Sequence, residues 1–128
     1  MSIREGFHTI TPYLIVSDAG ALSRFLQQVF GAEETMRATQ PDGSIMHAEV
    51  RIGDSMLMFA QSGEVWKPRP CNLYLYVADV DGIWQRGIQA GAKSVGEPED
   101  KPYGERSAGF EDIWGNYWWV GAPLQKAG

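Results

Sequence analysis

The hydrophobic positions change period several times along the first half of the chain. From His8 to Val16 the residues are β-rich and alternate, with Pro12, Leu14 and Val16 on one side and Thr11, Tyr13 and Ile15 on the other. Ser17-Asp18 is a helix N-cap signal. Leu22, Phe25, Leu26 and Val29 then recur at helical spacing, which predicts a helix over Ala21 to Val29 ended by Gly31. Glu34 to Thr39 reads as a strand, and Pro41-Asp42-Gly43-Ser44 as a turn. Ile45 to Ile52 and Ser55 to Ala60 read as strands joined at Gly53-Asp54. The order is βαβββ. Gln61 to Pro70 is polar, carries Pro68 and Pro70, and reads as a connector. The second half predicts a strand over Cys71 to Val77 and a helix from Asp79 to Ala90, with Val80, Ile83, Trp84 and Ile88 on its apolar face. A short strand over Ala92 to Val95, a loop over Glu97 to Glu105, and strands over Arg106 to Glu111 and Asn116 to Val120 complete it.

The two halves are copies of one another. Tyr13-Leu14-Ile15-Val16-Ser17-Asp18 returns as Tyr74-Leu75-Tyr76-Val77-Ala78-Asp79, and Phe30-Gly31-Ala32-Glu33 as Ala90-Gly91-Ala92-Lys93. Gly53-Asp54-Ser55-Met56-Leu57 returns as Gly115-Asn116-Tyr117-Trp118-Trp119. A repeat of this size implies two supersecondary units, each too small to bury its sheet alone. The expected fold is therefore α+β: two tandem βαβββ units forming a curved sheet around a cleft. Residues 1–128 form one domain, with the first unit at 7–61, the connector at 62–70 and the second unit at 71–122.

Composition narrows the function. Eleven basic against 16 acidic residues give a net charge of -5, which disfavours a nucleic-acid partner and suits a neutral or cationic small ligand. The single cysteine, Cys71, excludes an internal disulfide and fits a reducing compartment. No apolar run approaches the ~18 residues of a membrane span. With no apolar signal core in Met1-Ser2-Ile3-Arg4-Glu5-Gly6, the expected location is cytoplasmic.

Strand alternation names the candidate site. Thr11 and Tyr13, then Asn72, Tyr74 and Tyr76, then His47, Glu49 and Arg51 face away from the helix-covered sides of their strands. Such a polar, aromatic face is either the wall of a binding cleft or a solvated sheet surface. His47 and Glu49, two apart on one strand, are an acid/base pair, a device for fixing a ligand's donor group, or a solubilising ion pair with Arg51. Trp118 falls on the helix side, whereas Trp119 and Tyr117 point toward the cleft. Trp66, in the polar connector, is a docking group for a flat ligand or half of a dimer contact. In Tyr103-Gly104-Glu105-Arg106, Arg106 is an anion clamp or the partner of Glu97, Glu99 or Asp100. The expected pocket brings Tyr13, Tyr74 and Trp119 together above Thr11 and Asn72.

With Glu111-Asp112-Ile113-Trp114-Gly115-Asn116-Tyr117-Trp118-Trp119 added to the repeat, the chain resembles the vicinal oxygen chelate superfamily of glyoxalases, bleomycin and fosfomycin resistance proteins and extradiol dioxygenases. The closing segment is similar to that family's Asp-Pro-x-Gly-Asn-x-Trp signature, with Ile113 where proline is usual. Thr11-Pro12-Tyr13-Leu14, Pro41-Asp42-Gly43, His47-Ala48-Glu49, Gly53-Asp54-Ser55 and Tyr103-Gly104-Glu105-Arg106 resemble its PhnB-like branch. The resemblance implies a homodimer and metal-ligand slots at Thr11, Asn72, Trp119 and either Leu57 or Met58. None of these supplies imidazole or carboxylate, so no metal and no other cofactor is expected. The implied function is binding or sequestering a small aromatic or polar metabolite or toxin. The alternative is a glyoxalase-like lyase or isomerase with a non-standard metal site that includes His47 and Glu49.

Overall fold

A computed structural model describes residues 2–124 and contains two compact units, Met1–Pro70 and Cys71–Gly128. The first unit runs β1 (Tyr13–Val16), α1 (Ala19–Phe30), β2 (Glu33–Thr39), β3 (Ile45–Ile52) and β4 (Ser55–Gln61). The second repeats the order as β5 (Asn72–Tyr76), α2 (Val80–Gln89), β6 (Lys93–Asp100), β7 (Glu105–Glu111) and β8 (Tyr117–Pro123). Each unit holds a four-stranded sheet, ordered β1-β4-β3-β2 and β5-β8-β7-β6. In both, the first strand lies parallel to the last, and the other neighbours are antiparallel. The fold is α+β, built of tandem βαβββ units.

Equivalent residues start both helices. Asp18 accepts a hydrogen bond from the Ala21 amide at 3.0 Å, and Asp79 accepts one from Gly82 at 3.0 Å, each satisfying an amide that the helix leaves unpaired. Gly31, at φ 65°, closes α1 in the left-handed region. Gln61, the last residue of β4, ties the start of α1 to the sheet by accepting from the Ala19 amide and donating to the Ser17 carbonyl.

One face of each sheet is packed under its helix. In the first unit Leu14, Val16, Val50, Leu57 and Phe59 meet Leu22, Leu26 and Val29, all buried. In the second, Phe110, Trp118 and Val120 form the corresponding layer with Val80 and Ile83. Because paired residues on neighbouring strands share a face, the registers identify what stands on the other side. Tyr13 pairs with Met58 and Met58 with Glu49, while Tyr74 pairs with Trp119 and Trp119 with Gly109. The first-unit slot left open between Leu57 and Met58 is thus Met58, the positional equivalent of Trp119.

Two boundaries differ from the sequence pattern. Residues 8–12 lie outside β1: the Thr11 hydroxyl donates to the His8 carbonyl at 3.3 Å, a local bond that competes with strand pairing. Conversely, β6 continues through Pro98 to Asp100, where a loop is expected. It is the edge strand of its sheet, so the missing Pro98 amide costs no interior ladder bond. The register shifts between Gly96 and Glu99 absorb the irregularity.

Candidate functional site

In the first unit the helix-free face of the sheet carries one continuous polar chain. Tyr13 Oη lies 3.0 Å from His47 Nδ1, and His47 Nε2 lies 2.9 Å from Glu49 Oε2. The Arg4 guanidinium completes the chain with two parallel bonds of 2.9 Å to the two Glu49 oxygens. Glu49 is 2 % exposed, so its carboxylate is held out of water by partners that satisfy it. Arg4, seconded by His47, holds the Glu49 carboxyl below the usual carboxylate range against the upward push of burial. His47 is half-buried, and its ring stands tilted 40° to that of Tyr13.

This depression has a consequence for stability. A carboxyl whose folded pKa lies below its unfolded value binds protons more readily when unfolded, so it stabilises the fold above its unfolded pKa. That contribution is lost as pH falls through the folded pKa. Acid unfolding should therefore set in below about pH 4.3, the ordinary glutamate value, and Glu49→Gln should flatten the acid limb of a stability–pH curve. Glu34, which Arg37 chiefly holds low, keeps part of that limb in the variant. An unchanged acid limb in Glu49→Gln would show that the carboxylate contributes nothing.

The second unit holds a cavity of about 320 Å³ walled by Tyr74, Trp119, Tyr103, Ser107, Lys101 and Glu97. β7 places Glu105, Ser107 and Gly109 on this side of the sheet. The Glu105 carboxylate accepts the hydroxyl protons of Tyr74 and Tyr76, both at 2.7 Å. Burial first, then the bond to Glu105, pushes the Tyr74 phenol up, and the bond to Glu105 leads the same shift at Tyr76. Both rings are therefore fixed hydrogen-bond donors at neutral pH. Two glycines make room for the aromatic wall. A Cβ at Gly109 would overlap the Trp119 ring, and one at Gly121 would overlap the Tyr74 hydroxyl.

The candidate residues distribute as follows. Tyr13, His47 and Glu49 form the first-unit chain, with Thr11 preceding β1. Tyr74, Tyr103 and Trp119 line the second-unit cavity, and Asn72 accepts a long 3.4 Å bond from the Trp119 indole. Trp66 is 71 % exposed on the connector, which runs beside β1 through an Ile15–Arg69 bridge. Arg106 lies on the helix-covered side. Its guanidinium is engaged by Asp81 of α2, at 2.8 and 2.9 Å, and by Asp100 at 2.9 Å. Its neighbour Glu105 is the residue that faces the cavity side. The strand pattern held the clue, since Arg106 is in phase with Ala108 and Phe110, both buried. Arg4 gave no sequence signal, lying 45 residues from the carboxylate it pairs with.

The closing Asp112–Trp118 segment is structural. Asp112 accepts four hydrogen bonds, from the backbone amides of Trp114 and Asn116, the Asn116 side chain and the Trp118 indole, at 2.8–2.9 Å. Asn116 in turn accepts from the Cys71 amide at 2.9 Å, joining the start of β5 to the turn before β8. The Gly115 amide donates to the Asp112 carbonyl, so Ile113 occupies the second position of a β-turn, where a proline's fixed φ also fits.

A scan against family models matches residues 6–120 to the Glyoxalase/Bleomycin resistance protein/Dioxygenase superfamily. The chain belongs to that superfamily. An uncharacterized protein of Mycobacterium bovis is 32% identical over 128 residues, covering 91% of this chain and 84% of its own. Among solved structures, TioX from Micromonospora sp. ML1 superposes with a TM-score of 0.78 at 27% identity, covering 91% of this chain and 99% of that one. The fosfomycin resistance protein FosX from Mesorhizobium loti gives 0.67 at 20% identity, covering 96% and 95%, a likeness of fold.

The metal that many superfamily members carry does not fit the donors at the corresponding slots here. They present a threonine hydroxyl bonded to a carbonyl, the Met58 thioether, an Asn72 amide bonded to Trp119, and the Trp119 indole. A divalent cation site needs imidazole, carboxylate or several oxygens. Among the described residues no three His, Cys, Asp or Glu side chains cluster as a metal site. His47 and Glu49 already spend both ring nitrogens and both carboxylate oxygens on Tyr13, Arg4 and each other.

Proposed function

We propose that this protein binds a small, flat molecule, an aromatic or polar metabolite or toxin, and withholds it without metal chemistry. The cavity walled by Trp119, Tyr74 and Tyr103 carries this reading, because aromatic faces with a few fixed polar groups suit a planar ligand. The Glu105 carboxylate beside them and the net charge of -5 favour a ligand bearing positive charge. The slot residues Thr11, Met58, Asn72 and Trp119 support metal independence. We further place the chain in the PhnB-like branch of its superfamily, in the cytoplasm, and as a homodimer. A clean monomer in sedimentation at micromolar concentration would overturn the dimer.

Binding is tested with the planar cationic dye proflavine, followed by tryptophan fluorescence. Quenching with saturation is expected, undiminished after treatment with a chelator. Trp119→Ala should weaken it by about 1–3 kcal/mol, the loss of one buried aromatic contact. Equal affinity in Trp119→Ala and the parent protein would remove the cavity from the argument.

A further inference from the structure

We propose that Tyr13, His47 and Glu49 in the first unit form a proton-abstracting site for a small carbon acid. The assignment follows from which atoms can donate. Glu49, kept ionised by the paired Arg4 bonds, can only accept, so His47 Nε2 carries the hydrogen of their 2.9 Å bond. When the ring is neutral its lone pair lies at Nδ1, and the Tyr13 hydroxyl, 3.0 Å away, donates to it. Tyr13 is 46 % exposed, and with its hydroxyl hydrogen engaged by His47 in that state its oxygen lone pairs are left to meet a substrate.

This is the order of a reactive oxygen, a base and an orienting carboxylate, each within hydrogen-bond reach of the next. A substrate C–H proton passes to Tyr13 Oη while the Tyr13 proton passes to His47 Nδ1. The resulting imidazolium faces the Glu49 carboxylate. The electron pair of the broken C–H bond stays on the substrate. Returning the proton at another carbon gives isomerisation, and losing a group from the neighbouring atom gives elimination. Neither needs an oxidant, a reductant or a metal. A purely structural ion pair would require Arg4 and Glu49 alone. Here the chain continues through two further groups to an exposed oxygen. Tyr13 acts as the catalytic residue, His47 as its base, and Glu49 as a positioning residue that fixes the tautomer.

The probe is 5-nitrobenzisoxazole, a flat carbon acid. Loss of its ring C–H proton breaks the N–O bond and releases a coloured phenolate. The protein should accelerate this release over buffer, and Tyr13→Phe and His47→Gln should each lower the rate about tenfold or more, at the low end of general base catalysis. Both side chains are at least partly exposed, so both variants should keep the parent circular dichroism. For Glu49, the readout is the nitrogen NMR spectrum of the His47 ring: a hydrogen on Nε2 is expected in the parent, and mixed tautomers in Glu49→Gln. No acceleration over buffer, or an undiminished rate in either Tyr13→Phe or His47→Gln, would overturn the proposal. None of these residues lines the second-unit cavity, so a failure of dye binding and a failure here are separate results.

Discussion

Asp112→Ala should lower the unfolding free energy by about 3–5 kcal/mol, because each buried donor left without a partner costs on the order of 1–3 kcal/mol. Asp112 is 4 % exposed and serves four donors, and three of them belong to Asn116 and Trp118, both fully buried. Total stabilities are only about 5–15 kcal/mol, so the change is a large part of what is available. Asp112→Asn should fall between the parent and the alanine variant. It keeps one acceptor oxygen for the two backbone amides but turns an NH2 group toward donors that need an acceptor. Urea unfolding followed by circular dichroism measures both. A loss under about 1 kcal/mol in Asp112→Ala would mean that the turn before β8 is held by something other than this carboxylate. The same hydrogen bonds explain why a signature so specific for the fold says little about the reaction: its polar atoms are consumed in holding β5, the turn and β8 together.

What the sequence made legible follows from how local each signal is. The period-two alternation of Leu14 and Val16 against Tyr13, and of Trp118 against Trp119, needs only neighbouring residues, and the burial of each strand agrees with it. The repeat aligned equivalent helix caps because Asp18 and Asp79 do the same local work. Sheet order was not local. That β6 is an edge strand, and so can run through Pro98, depends on where β7 and β8 lie. The strand β7 begins at Glu105, one residue before the Arg106 start that the sequence pattern predicts, and this puts Glu105 on the sheet rather than in the loop. A guanidinium is a conspicuous candidate for binding anions, but Arg106 shares the face of Ala108 and Phe110 and meets Asp81 on the helix. Arg4 illustrates the remaining limit. Its bond to Glu49 crosses 45 residues of sequence and joins an N-terminal segment with no periodic pattern to the middle of β3. Without it, His47 and Glu49 read equally well as a solvated pair.

Two adjacent tryptophans should respond in opposite ways to the same substitution. Trp118 is fully buried beneath α2, pairs with Leu73 and Phe110 across its strands, and donates its indole hydrogen to Asp112 at 2.8 Å. Trp118→Ala should therefore cost about 3–5 kcal/mol of stability, as removal of a large core aromatic does. Trp119 stands on the other face, half-buried over Gly109, with its indole making only the long bond to Asn72. Trp119→Ala should cost under about 1.5 kcal/mol of stability, since water can enter the space that the ring leaves, while weakening dye binding. A one-residue slip of β8 would exchange the two tryptophans and reverse both results. The two large stability losses should also be less than additive, because Asp112→Ala and Trp118→Ala each remove the same indole–carboxylate bond. Full additivity in Asp112→Ala/Trp118→Ala would show that this bond contributes nothing, and a stable Trp118→Ala protein that has lost dye binding would place the cavity on the wrong side of the second sheet.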